Sequence, residues 1–237
     1  MQPVMPSLPT FKLDRQRHAA PQVFEHLREM IVRLDLPPGT VLSRVELAEA
    51  FGLSQTPVRD ALIKLGEEGL VDIFPQHATV VSRISLSVAR QSHFLRRALE
   101  LEALATLCEA TEAALLERLL PVLRSLIEQQ RVAAAAVDTE HFVALDRAFH
   151  QQILQAAGAA ELGELVHQRN GHVDRLRRLH LPVAGKMAQI LTDHLRITDA
   201  LAARDAAACQ AALRQHLGGT LRHADEIRER HPQYVGD

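Results

Sequence analysis

Aromatic side chains are scarce in this 237-residue chain, at 3% of the sequence, with seven Phe, one Tyr and no Trp. A core without them has to be filled by Leu, Ala, Val and Ile, in a composition that is 47% hydrophobic, and the abundance of Leu and Ala favours helices. Cysteine is almost missing too. Cys108 and Cys209 sit inside alanine- and leucine-rich helical patterns, which excludes a disulfide framework and suits reduced core residues of a cytoplasmic protein. No stretch approaches the roughly 18 consecutive apolar residues of a membrane helix. The first ten residues also lack the charged start and apolar run of a signal peptide. Charge of one sign is absent as well, since 27 Lys and Arg face 29 Asp and Glu. Residues 1–82 carry eight basic side chains against ten acidic ones, so any nucleic-acid contact must rest on local placement rather than a basic footprint.

What is present is punctuation. Ser43 and Glu46 have the spacing of a capping box and predict a helix start. Leu47, Ala48 and Phe51 give that helix an apolar face, and Gly52 ends it by accepting a left-handed conformation. Ser54, Thr56 and Pro57 signal a second start. Val58, Ala61, Leu62 and Leu65 then recur at helical spacing, leaving Gln55, Arg59 and Lys64 toward other faces. Gly69 closes the second helix. Two β-like runs follow, Leu70 to Phe74 and Thr79 to Val81, joined through residues 75–78. Two helices on a tight turn followed by a hairpin form a winged helix-turn-helix, which places its second helix in a DNA major groove.

Around this motif the chain divides into a mobile tail at 1–20, a winged helix-turn-helix domain at 21–82, a linker at 83–87, an all-α antiparallel bundle at 88–230 and a short tail at 231–237. The fold is therefore mainly α. In the head, a helix over 21–34 turns Val23, Leu27, Met30, Ile31 and Leu34 inward, and Pro37-Pro38-Gly39 makes a turn. The bundle reads as six helices, 86–109, 112–136, 138–157, 161–180, 183–203 and 206–230, the second bent or starting late at Pro121. On the first of them, Phe94, Ala98, Leu101, Ala105 and Cys108 form one apolar stripe.

Thirteen histidines are many for this length. Asp146 and His150 are four apart and project from one helix face, while His194 and His216 fall on the last two predicted helices. A bundle can bring such side chains together around a divalent ion; an ordinary surface Asp–His hydrogen bond is the competing reading of the first pair.

The segment Leu36-Pro37-Pro38-Gly39-Thr40, Glu46-Leu47-Ala48, Ser54-x-Thr56-Pro57-Val58-Arg59-x-Ala61-Leu62 and Glu68-Gly69-Leu70-Val71 resembles the DNA-binding domain of the GntR family of bacterial transcription regulators. Residues 88–222 are similar to the FCD ligand-binding domain of its FadR subfamily, through Arg96-x-x-x-Glu100, Asp146-x-x-Phe149-His150, His194-x-x-Ile197-x-x-Ala200 and the Asp205…His216-Leu217 spacing. Six helices suit the shorter VanR-like type. The resemblance implies that Asp146, His150, His194 and His216 bind a divalent metal, Zn, Ni or Mn, with open positions for a small carboxylate metabolite as effector. It nominates Arg96 as effector-binding. An intrahelical pair with Glu100 is the other reading of Arg96, and Arg97 is its rival. Ala157-Gly158-Ala159 departs from the family, which often has Asn after Ala-Gly.

The expected function is a DNA-binding transcription regulator, a repressor, acting as a homodimer on an inverted-repeat operator in double-stranded DNA, and not an enzyme. The residues proposed to meet DNA are Arg44, Ser54, Gln55, Thr56, Arg59 and His77, with Arg59 foremost because Arg to guanine is the commonest specific contact. Gln55 stands where relatives often have Arg, Arg44 where an acid is common, and His77-Ala78 where a basic-Gly pair is usual. Two alternatives remain: a metal-dependent enzyme, and a DNA binder whose metal is purely structural.

Overall fold

The computed structural model describes Lys12–Asp237 apart from Gln76. The head begins with α1 (Ala19–Arg33), followed by β1 (Val41–Leu42), α2 (Arg44–Phe51), α3 (Gln55–Glu67), β2 (Val71–Phe74) and β3 (Ala78–Val81). The predicted local signals form as read. Ser43 Oγ accepts from Glu46 N–H at the start of α2, and Gly52 caps its end at φ 64°, where a side chain would be strained. The three strands run antiparallel in the order β1-β3-β2, with Val41 opposite Val80 and Val71 opposite Val81. Strand β1 was not expected, because two residues carry no periodicity. Val23, Leu27, Ile31, Leu36, Leu42, Leu47, Val58, Leu62, Leu65 and Leu70 form the fully buried centre of the head, each large side chain contributing about 2 kcal/mol. Arg28 of α1 donates to Glu68 at 2.6 Å and ties α1 to the end of α3. Leu34 was expected on the core face, yet it caps α1 in the left-handed conformation at φ 66° and is only half-buried.

The tail expected over residues 1–20 lies outside the described residues as far as residue 11. Within its remainder, Asp14–His18 wraps the start of α1. Gln22, itself buried, accepts from Asp14 N–H and donates to the carbonyls of Asp14, Arg17 and His18.

After Ser82 come α4 (Leu86–Glu109), α5 (Ala113–Ala135), α6 (Thr139–Ala156), α7 (Ala160–Arg169), α8 (Gly171–His180), α9 (Lys186–Ala202), α10 (Ala206–Leu221) and α11 (Ala224–Arg230). Two expectations need correction. Residues 161–180 and 206–230 are each two helices, so eight stand where six were read, and the helix count gives no support to the shorter bundle type. Neither break coincides with a proline; the one at Asn170 carries an Asn-Gly turn pair that the six-helix reading passes over, and nothing local announces the one at Arg222-His223. Pro121, moreover, does not mark a late start, since α5 begins at Ala113 and holds it inside. The other breaks have ordinary chemistry. Asp138 and Asp205 accept N-cap hydrogen bonds from His141 and Ala208, and Gly158 takes φ 77°, so the departure at Ala157-Gly158-Ala159 leaves a normal helix end.

The chain forms two compact units. One contains the head through Ala89 together with Gly171–Arg178 and Asp225–Asp237; the other contains Arg90–Asn170 and Leu179–Ala224. In the second, Leu104, Leu107, Leu123, Phe149, Ile153, Ile197, Leu201, Cys209 and Leu213 make the buried centre.

Candidate metal centre and reading head

The buried face of α4 is not the apolar stripe the sequence suggested. Phe94 is 65% exposed, while Ser92, Arg96 and Glu100 are buried. Ala103, Leu104, Leu107 and Cys108 continue the buried face toward the helix end. A periodicity count ranks Arg and Glu as surface residues, and here they line a polar centre instead.

That centre joins α4, α5, α6, α9 and α10. Asp146 and His150 project from α6, His194 from α9 and His216 from α10; all four are buried, and one ligand atom from each lies within 4.8 Å of the others. His150 Nε2 is 3.1 Å from His216 Nε2, and His194 Nε2 is 3.3 Å from the same atom. Asp146 Oδ1 lies 3.6 Å from His194 Nε2. Phe149 stacks on His194 with ring centroids 4.0 Å apart and meets His150 edge-on.

The outer nitrogens decide what the inner ones carry. Glu100 Oε2 lies 2.7 Å from His150 Nδ1, and Gln130 Oε1 lies 2.8 Å from His194 Nδ1. Both oxygens are acceptors, so each imidazole donates outward from Nδ1 and keeps a lone pair on Nε2. Asp193 Oδ2 approaches His216 Nδ1 at 3.8 Å, too long for a hydrogen bond. Lone pairs of His150 and His194 thus face His216 Nε2 beside a carboxylate. One proton on His216 cannot satisfy both, whereas a divalent cation satisfies all four ligands at once. The donor set fits such an ion.

Charge around the centre is consistent with a neutral His150. Burial pushes His150 down to about 4, against the upward pull of Glu100. Burial alone would raise Glu100, but Arg96 and His150 beside it reverse the sign and hold it at about 2. Arg96 Nε donates to Glu100 Oε1 at 2.7 Å, so the intrahelical pair is formed, and it is buried. Arg97 instead lies 5.7 Å from the ring centroid of the exposed Phe94. Of the two arginines, Arg96 is the one that reaches the centre.

Gln130 and Asp193 were missed in the sequence. For Gln130 a signal existed: it interrupts the α5 core line of Leu116, Leu119, Leu123, Ile127 and Ala133 and is fully buried. Asp193, next to His194, had none.

In the head, Arg44, Ser54, Gln55, Thr56, Arg59 and His77 are all exposed. Ser54 is the N-cap residue of α3 without a side-chain capping bond, and Gln55 and Thr56 stand in the first turn, where backbone N–H groups are free for phosphate. Arg59, one turn on, lies 3.3 Å from Asp60 Oδ1. His77 is at the hairpin tip. Lys64 is turned elsewhere, its Nζ 4.5 Å over the Phe24 ring.

A DNA-reading head followed by a helical ligand-binding domain is the architecture of bacterial transcription regulators. Residues 19–81 match the bacterial regulatory proteins of the gntR family, and residues 91–219 match the FCD domain. The chain is 36% identical over 211 residues to an uncharacterized HTH-type transcriptional regulator in an unstable DNA locus of Streptomyces ambofaciens, covering 89% of this chain and 87% of that one. It is 31% identical to the HTH-type transcriptional repressor RspR of Escherichia coli, covering 91% and 93%. Among solved structures, E. coli McbR/YncC superposes with a TM-score of 0.73 at 23% identity, covering 89% of this chain and 98% of that one. This chain belongs to the GntR family and carries an FCD domain. It is a DNA-binding transcription regulator rather than an enzyme. Among the described residues, no helix is long and apolar enough to cross a membrane.

Proposed function

We propose that this regulator is a cytoplasmic repressor that binds an inverted-repeat operator as a homodimer and changes its operator affinity when a small carboxylate metabolite enters the FCD domain. The observation that carries the proposal is the convergence of three imidazole Nε2 atoms and one carboxylate oxygen, with two of the imidazoles held outward by acceptors. Asp146, His150, His194 and His216 would hold Zn, Ni or Mn. Three neutral imidazoles and one carboxylate leave a divalent ion net positive, and an open coordination position offers a Lewis-acid site for an organic acid. Arg96 supports the same chemistry from α4, since its guanidinium has donors beyond the Nε given to Glu100 and can pair with a carboxylate.

On the DNA side, Arg59 reads a base edge, Gln55 reads adenine or touches phosphate, and Ser54 and Thr56 meet phosphate at the α3 N-terminus. Arg44 and His77 contact the backbone on either flank. A single head reads few base pairs, so twofold symmetry supplies the remaining specificity. The effector biases a pre-existing equilibrium between operator-competent and incompetent states.

The test is an operator titration at fixed salt with metal-loaded protein, repeated across a panel of mono- and dicarboxylic acids. At least one acid is expected to shift the apparent Kd fivefold or more, a usual span for coupled sites, and His150→Ala is expected to abolish that shift together with metal uptake. An operator affinity that no acid changes would sink the effector reading and leave a structural metal.

A further inference from the structure

We infer that Gln130 is a positioning residue for the metal centre, holding His194 in the tautomer that turns its Nε2 lone pair inward. The inference rests on the proposed metal reading and concerns a residue that does not itself ligate. Gln130 sits in the middle of α5, fully buried in the line of Leu119, Leu123, Ile127 and Ala133. Packing alone calls for Leu or Met at such a position. Its Oε1 takes the Nδ1 proton of His194 at 2.8 Å, while its Nε2 is buried without a hydrogen-bond partner among the described residues. A buried amide with an idle donor works against stability, so the retained carboxamide needs another reason. Its carbonyl oxygen accepts from the imidazole, which supplies that reason.

Stacking and hydrogen bonding orient His194 in different ways. Phe149 stacks against the ring at an interplanar angle of 12°, which fixes the plane but says nothing about which nitrogen carries the proton. The acceptor at position 130 fixes the proton on Nδ1. Without it, the Nε2–H tautomer becomes available and puts a hydrogen among Asp146, His150 and His216, where a cation requires a lone pair. This is the usual work of an outer partner of a metal-bound histidine. Gln130 does it as a neutral group, whereas Glu100 does it for His150 as a carboxylate, so the two imidazoles differ in basicity.

The experiment uses the full chain and Zn²⁺ itself, with affinity measured by competition against a chromophoric chelator and the Co²⁺-substituted absorption spectrum as a second readout. Gln130→Met, close in shape but without an acceptor, is expected to weaken Zn²⁺ binding about 10- to 100-fold and to shift the Co²⁺ bands, while the metal-free protein melts no lower than the original. Gln130→Glu keeps an acceptor and is expected to stay within a few-fold of the original affinity. Should the methionine variant fail to fold, Gln130→Ala is measured instead, with the same loss expected. Equal affinity and an unchanged Co²⁺ spectrum in the variant without an acceptor would overturn the inference while leaving the metal centre standing. An unaltered protein that takes up no Zn²⁺ at all would overturn the metal reading, and the inference with it.

Discussion

His172 has to stay neutral to make its contacts. Its Nδ1 faces two donors, Ser85 N–H at 3.0 Å and Arg175 Nη2 at 3.1 Å, so it can only accept, and its Nε2 donates to the Gly69 carbonyl at 3.0 Å. A second proton would set N–H against N–H beside a guanidinium. Burial, aided by Arg175, accordingly pushes His172 down to about 4. With the folded value below the ordinary 6.5, the unfolded chain binds the proton more readily, and stability falls as pH drops from about 6.5 toward 4. The loss attributable to this residue is on the order of 3 kcal/mol. Urea unfolding at a series of pH values checks this, with a shallower decline expected for His172→Gln; identical slopes would refute it. None of this was legible in the sequence, where His172 had no motif. His150 differs, because Asp146 one turn away on the same helix already singles it out.

At the scale of elements, α8 shows why a helix boundary can escape sequence reading. The segment over 161–180 has continuous helical character, but Gly171 opens α8 against the head, where an added Cβ would lie 2.7 Å from Leu70 Cδ2. The fully buried Arg175 then donates to the Ser82 carbonyl at 2.7 Å. Gly171→Ala is therefore expected to lower stability by about 1–3 kcal/mol through overpacking, although Ala favours helix; a thermal melt that rises would show that Leu70 yields freely. The segment over 83–87, read as a linker, is held in the same unit. Ile84 bridges Val235 in parallel, Ile84 N–H donates to the Tyr234 carbonyl and Leu86 N–H to that of Asp237. These partners lie some 150 residues apart in sequence, so no local pattern could announce them. Capping boxes and glycine stops depend on neighbours three or four residues away, and those were all legible.

For the whole molecule, near-neutral charge shapes the expected DNA binding. If Arg44 on the backbone and Arg59 at a base edge are the main cationic groups each head brings to the duplex, a dimer displaces roughly four counterions, and log K should fall with log salt at a slope on the order of −4. Fluorescence anisotropy with labelled operator across a salt series measures that slope. Sedimentation of the complex should show two 26.3 kDa chains per operator. A slope near −10 would mean that basic contacts beyond these two residues dominate.

Sequence alone determined the class of this protein. Helix caps and the glycine stops at Gly52 and Gly69 are local properties that give a mainly helical chain with a winged head, while the resemblance to the GntR and FCD patterns, rather than spacing, nominated Asp146, His150, His194 and His216 as a ligand set. Tertiary structure decided which polar side chains were buried. The scarcity of aromatics left Leu, Ala and Val spread around most helices, so hydrophobic periodicity could not tell the inward face of α4 from its outward one. Only packing turned Phe94 to solvent and drew Glu100 and Gln130 inward as acceptors for the outer imidazole nitrogens, with Arg96 paired to Glu100, because those partners come from helices distant in the chain from the histidines they hold.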